Sequence, residues 1–307
     1  MESSFKELLQ ASFKSQDTEE WLDVHFTRPI GLVFALLWNK LNIHPNAITI
    51  LSIFLGIGAG YMFYFTDLTH NIMGVLLLMF ANFCDSTDGQ MARLTGKKTL
   101  VGRVLDGFSG DVWFACIYIA ISLRLMNEYM PYTDVKWGVW IWLLNIVAGL
   151  VCHSPQSSLS DYYRQIHLFF LKGKSGSELD NYASQRAVYE QMKRDGNLLG
   201  RIFYYNYANY CKSQERRTPK FQAFFKRWQE QPNEVVRQEF LTGSRPLMAY
   251  TNILTFNTRA IVIYITCLLN CPWAYPLFEL SVMTCLYIYM HSRHESLCGR
   301  LTAKLAQ

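Results

Sequence analysis

The sequence is short of charge. Lys, Arg, Asp and Glu make up 17% of its 307 residues, against about 25% in soluble domains. Half of the chain is hydrophobic and 15% is aromatic. That balance points away from a water-soluble enzyme and towards a membrane protein with a polar portion. Cysteine occurs eight times but never as a CxxC pair, and several of the eight lie inside apolar runs. Neither a zinc site nor a disulfide framework is expected, and the thiols read as small apolar residues of membrane helices. The opening stretch, MESSFKELLQASFKSQDTEEW, has no long apolar run, so no signal peptide is expected there. There is no obvious internal repeat and no basic-aromatic recognition motif. The net charge of +5 is mild. It suits anionic lipid or a phosphorylated substrate, and no nucleic-acid partner is expected. GKKT and GKS lack the earlier glycine that a P-loop requires.

What the chain does have is long apolar runs. A spanning helix needs about 20 mostly apolar residues, and six segments qualify, near 47–66, 70–93, 99–124, 136–157, 248–270 and 272–292. Lys and Arg alternate between the connections. The loops TDLTHN and NCPWAYP have none, whereas Lys97 and Lys98, the long stretch after the fourth span and the C-terminal tail are basic. The positive-inside rule then places both termini, the 94–98 loop and the long insert in the cytoplasm. RPIGLVFALLWNKLNIHP is too short to cross before Pro45 and reads as an amphipathic helix in the interface, with a tilted or re-entrant span as the alternative. The expected fold is therefore all-α and integral to the membrane. Residues 1–44 form an interfacial segment, 45–157 the first four spans, 158–247 a cytoplasmic helical insert, and 248–307 the last two spans and tail. A bacterial inner membrane is the expected location.

Four aspartates stand at the ends of two of these apolar segments: Asp85, Asp88, Asp106 and Asp111. Such acids need compensation. On one helix Asp85 and Asp88 are three apart and share a face, with Gly89 and Ala92 removing bulk beside them. On the next, Gly102 and Asp106 are four apart. Hard oxygen ligands without interleaved His or Cys suit Mg²⁺ or Mn²⁺. A single buried Asp would more often serve a structural hydrogen bond or ion pair. Four acids paired with small residues favour a metal-dependent site near the cytoplasmic surface that admits a phosphate group.

DSTDGQMAR, followed by eight residues, Gly102, three residues and Asp106, resembles the signature of the CDP-alcohol phosphotransferases. That signature continues with a further Asp four residues on. HPNAIT resembles the Pro-Asn-x-x-Thr that precedes the family's first span, at Pro45, Asn46 and Thr49. The resemblance implies transfer of a substituted phosphate from a CDP-linked lipid or alcohol to an alcohol, with release of CMP, by a homodimer in the bilayer. It implies Asp85, Asp88, Asp106 and Asp111 as metal ligands, with Asp106 and Asp111 catalytic. Asn46, Thr49, Asp85, Gly89, Ala92, Arg93 and Gly102 would surround the nucleotide. The donor expected is CDP-diacylglycerol and the acceptor inositol or inositol phosphate, gripped by Arg164, Arg245 and Arg259. For each arginine a positive-inside anchor is the competing reading. A ceramide-like acceptor and a non-catalytic assembly protein on the same frame are the alternatives.

One position departs from the signature: residue 110 is Gly, and the acid is Asp111. In a regular helix position 110 lies about 40° from Asp106 and position 111 about 140° away. A π-bulge eased by Gly107 and Gly110 would bring Asp111 back, to take the acceptor's proton. The rival expectation is a regular helix with Asp111 turned away and Ser109 or a water in the vacant place.

Overall fold

The computed structural model describes residues 5–12, 15, 17–97 and 100–306. Lys98 and the first four residues of the expected interfacial segment lie outside the described residues. The regular structure described is helical. In chain order the α-helices are α1 (Phe5–Ser12), α2 (Arg28–Lys40), α3 (Pro45–Phe63), α4 (Leu68–Thr95), α5 (Leu100–Leu125), α6 (Gly138–Ile146) and α7 (Ser154–Lys172). They continue with α8 (Tyr182–Arg194), α9 (Leu198–Arg217), α10 (Pro219–Glu230), α11 (Glu234–Ser244) and α12 (Met248–Ile253). The last three are α13 (Phe256–Leu268), α14 (Ala274–Phe278) and α15 (Thr284–Lys304). A π-helical stretch, Val147–His153, joins α6 to α7 without a break.

The chain forms two compact units, one of residues 1–154 and 256–282, the other of 155–255 and 283–307. The N-terminal segment thus belongs with the first spans, and the last helix belongs with the insert.

In the first unit, local chemistry sets the helix ends. Pro45 opens α3, where a missing N–H does no harm, and His44 Nδ1 accepts from Asn46 N at 3.2 Å. Asp67 caps α4 by accepting from His70 N at 3.1 Å. Gly96 closes it in the left-handed region, at φ 69°. Glycines then let helices approach. A Cβ on Gly56 would stand 1.9 Å from Trp113 Cδ1, and one on Gly60 2.8 Å from Cys116 Cβ, so α3 and α5 meet across a Gly-x-x-x-Gly face. A Cβ on Gly31 would meet Gln90 Nε2 at 2.6 Å, which seats α2 against α4. At the far end, Arg124 donates to Phe63 O and Asn71 Oδ1, each at 3.0 Å, and to Asn270 Oδ1, tying α3, α4 and α5 to the turn after α13. The opposite side of α2 exposes Val33 and Leu37, and Leu41 follows.

The protein is all-α and integral to the membrane. Four helices among the described residues are long and apolar enough to cross: Pro45–Phe63, Leu68–Thr95, Leu105–Leu125 and the run Gly138–Lys172. The two last expected spans are divided instead. The 248–270 segment breaks at Leu254 and Thr255, leaving α13 with 13 residues. The 272–292 segment passes through π-helical Glu279–Met283 into a helix that carries His294 and Glu295.

The second unit is built on aromatics. Phe170 packs on Phe224, Phe240 and Trp228 at centroid distances of 5.7, 4.3 and 5.0 Å. Glu295 on α15 accepts from the first amides of α10, Lys220 N at 2.8 Å and Phe221 N at 3.3 Å, a carboxylate cap supplied from another helix. α8 and α9 fold back on one another as a hairpin.

Candidate functional site

Asp85 and Asp88 ride the last third of α4, about 26 Å from its start at a rise of 1.5 Å per residue. Asp106 lies in the second turn of α5. One carboxylate oxygen from each lies within 4.8 Å of the others. Asp88 is 4% exposed and Asp85 half-buried, while Asp106 is exposed, so the cluster opens on one side. Two of the acids are oriented from neighbouring helices. Buried Thr49 on α3 donates its hydroxyl to Asp88 Oδ2. Ser109, 1% exposed, places its hydroxyl 2.8 Å from Asp85 Oδ1 and 2.7 Å from Asp106 O. Three ionised carboxylates this close repel one another, and among the described residues no His or Cys joins them. Oxygen-only donors at such separations fit Mg²⁺ or Mn²⁺.

The small residues expected around a nucleotide sit beside this cluster. Gly89 and Ala92 follow Asp88 on α4 and are half-buried, as is Gly102 on α5. The guanidinium of Arg93 folds back over Gly89, where an added Cβ would stand 3.4 Å from Nη1. Asn46 lies in the first turn of α3, one turn before Thr49.

Residues 42–154 match the family model of the CDP-alcohol phosphatidyltransferases. The match covers just over a third of the chain and takes in α3, α4, α5 and the three clustered aspartates. The archaetidylinositol phosphate synthase of Pyrococcus horikoshii is 35% identical over 84 residues, 27% of this chain and 43% of its own. An uncharacterized protein of Aquifex aeolicus is 39% identical over 112 residues, 36% of this chain and 53% of its own. The chain therefore spans about half the length of the curated relatives it matches.

Two of the expected site residues have other surroundings in the structure. Asp111 does not join the carboxylate cluster. α5 runs as an unbroken α-helix from Leu100 to Leu125, so no π-bulge returns Asp111 to the face of Asp106. Gly107 and Gly110 lower helix propensity, but neighbouring helices hold the regular form. Trp113, Ile117 and Ile121 of α5 are almost fully buried, and an extra residue would rotate them all out of register. Ser109 holds Asp85 instead. The second is Arg259, expected to grip the acceptor. It is fully buried and ion-paired to Glu279, Nε to Oε1 at 2.6 Å, so its charge is neutralised inside the protein. Arg164 donates to Asn252 Oδ1 at 2.9 Å, and Arg245 is exposed.

Sequence reasoning missed how the site is braced. Gln90, fully buried, donates from Nε2 to Arg28 O at 3.2 Å and Ser86 Oγ at 3.1 Å, fixing α2 beside the acids. Its signal was an uncharged polar residue facing inward between Asp88 and Arg93.

Proposed function

We propose that the protein synthesises a phospholipid by moving a substituted phosphate from CDP-diacylglycerol to inositol or inositol phosphate, releasing CMP. The observation that carries this reading is the convergence of Asp85, Asp88 and Asp106 within 4.8 Å, inside a segment that matches the family. The name of the Pyrococcus relative supports an inositol-type acceptor. Asp85, Asp88 and Asp106 would hold the divalent cation. When bound, it neutralises charge on the pyrophosphate and makes CMP a better leaving group. Thr49 and Ser109 keep two of the acids in position. Gly89, Ala92 and Gly102 leave room for the nucleotide, and Arg93 and Asn46 are proposed to meet it. Arg164 and Arg245 are the cations proposed for a phosphate on the acceptor. The proposed setting is a homodimer in a bacterial inner membrane, with the last two apolar segments completing six crossings and the acids facing the cytoplasm.

The test is CMP release from CDP-diacylglycerol by the purified protein in liposomes, with inositol or inositol phosphate. Turnover is expected with Mg²⁺ or Mn²⁺, to be lost in excess chelator, and to be lost in Asp88→Asn while that variant stays folded. Full turnover with the metal chelated would exclude the reading. A second reading, a non-catalytic membrane assembly protein, is favoured by one observation, the exclusion of Asp111 from the cluster. It requires that no CMP appear under any of these conditions.

A further inference from the structure

On the reading above, the acceptor hydroxyl must lose a proton, and position 110, where the resemblance places an acid to take it, is Gly. Position 110 has no side chain, and an added Cβ there would find no atom within 4 Å. Asp111 stays outside the cluster. Against α5 one helical turn further on, within the same unit, stands a histidine that the transfer has not used.

His153 closes the π-helical stretch Val147–His153, and such stretches recur at functional sites. Its ring meets the ring of Phe114 edge-on, with centroids 4.3 Å apart. Phe114 follows Gly110 by four residues, so the imidazole contacts α5 about one helical turn, some 6 Å, from the vacant position. His153 is also the end of a chain of hydrogen bonds. Its Nδ1 lies 3.3 Å from Tyr118 Oη, Tyr118 Oη lies 3.0 Å from Tyr275 Oη, and Tyr275 donates to Glu279 Oε1 at 3.3 Å. Arg259 clamps that carboxylate with Nε at 2.6 Å and Nη2 at 3.5 Å. Arg259, Tyr275 and Glu279 are completely buried and Tyr118 nearly so, whereas His153 keeps part of its surface open.

The chain has a direction. A carboxylate bound to Arg259 only accepts, so the Tyr275 hydroxyl donates a hydrogen bond to it. The Tyr275 oxygen then accepts from Tyr118, and the Tyr118 oxygen accepts from Nδ1–H of His153. That order leaves Nε2 with a lone pair, the tautomer of a general base. It also explains a buried ion pair deep in a membrane protein, where such groups are rare without a task.

We propose that His153 is the base of the transfer and replaces the acid absent from position 110, with Tyr118, Tyr275 and Glu279 as positioning residues. The acceptor oxygen forms its bond to the lipid-bearing phosphorus of the donor. The bond from that phosphorus to the bridging oxygen breaks, and CMP departs with the electron pair. The hydroxyl proton passes to Nε2 of His153 and leaves to water with the products.

The experiment measures CMP release by the full-length protein in liposomes, with CDP-diacylglycerol and inositol phosphate, alongside donor binding and melting temperature. His153→Ala is expected to lower kcat by 100-fold or more, with donor affinity within about threefold and the protein still folded. Gly110→Asp in the His153→Ala background is expected to recover at least 10-fold, because it returns a carboxylate to the vacant position. Tyr118→Phe is expected to lower kcat without changing donor binding. His153→Gln guards against loss of packing and is expected to fold and stay slow. Wild-type turnover matched by His153→Ala or His153→Gln would overturn the base and leave the function standing. Folded, donor-binding His153→Ala that Gly110→Asp does not rescue would make His153 a packing residue. Wild-type protein that releases no CMP would remove the function and the base together.

Discussion

Thr49 and Ser109 show how little it takes to aim a carboxylate. Each contributes one hydroxyl from a neighbouring turn or helix, and each is almost fully buried. Groups that orient metal ligands typically cost 10- to 100-fold in metal affinity or activity when removed. Thr49→Val keeps the shape and deletes the donor, so it should raise the Mg²⁺ concentration needed for half-maximal CMP release by about 10-fold or more. Thr49→Ser should stay near wild type, since it retains the hydroxyl. Equal metal dependence in both variants would show that Asp88 needs no such support. Asp111→Asn is expected to leave turnover within about threefold, because its carboxylate is not part of the cluster. An inactive but metal-binding Asp111→Asn would restore the fourth acid to the reaction.

At the level of elements, the site depends on how closely α3 and α5 approach. Gly56 faces Trp113 so tightly that a methyl group would overlap the indole. Gly58, two residues away, turns elsewhere, and its Cβ would stand an ordinary 3.5 Å from Leu77 Cδ1. Overpacking of this kind typically costs about 1–3 kcal/mol. Gly56→Ala should therefore lower the melting temperature in detergent and, by pushing α3 away from α5, weaken the Thr49–Asp88 contact and CMP release together. Gly58→Ala should melt within a degree or two of wild type. Similar melting of the two variants would remove the close contact as a determinant of the fold.

For the whole molecule, two expectations concern the second unit. His294 is fully buried, stacked on Tyr163 with centroids 4.0 Å apart. Burial, and then the neighbouring His291 and His167, push its pKa down to about 3. The neutral ring is thus the native form, whereas an unfolded histidine protonates near 6.5. Below that value the unfolded chain binds more protons, so this contribution is complete above about pH 6.5 and is lost as pH falls towards 3. Between pH 7.5 and 5.5 wild type should lose about 1 kcal/mol more stability than His294→Phe, which keeps the stacking without the proton. Glu295 works the other way, since burial raises its pKa, but it is present in both proteins and cancels in the difference. Equal pH dependence would mean that the ring is not held neutral. The second expectation is topological. Gly173 ends α7 at φ 77° and a single 3₁₀ turn follows, so the GKSGSE stretch is the accessible corner of the insert. Protease should cut there in inverted vesicles. Protection in inverted vesicles, with cleavage in right-side-out ones, would reverse the proposed orientation.

The sequence by itself determined what is periodic or local. Apolar runs of about 20 residues mean helices in a bilayer, and Pro45, Asp67 and Gly96 mark ends whose chemistry lies within a few residues. The pairing of Asp85 with Asp88 on one helical face, and their family spacing to Asp106, were also legible, because a helix turns by a fixed angle. What only the tertiary structure decided was every contact between residues distant in the chain. Thr49 reaches Asp88, Gln90 reaches Arg28, and His153 meets Tyr118, which meets Tyr275. Arg259 looked like a cytoplasmic cation until Glu279, 20 positions on, neutralised it. Asp111 is the sharpest case. Two glycines made a bulge locally cheap, but buried Trp113, Ile117 and Ile121 hold α5 regular. Local propensity is worth about 1 kcal/mol per glycine, and rotating three buried side chains out of a packed core costs more.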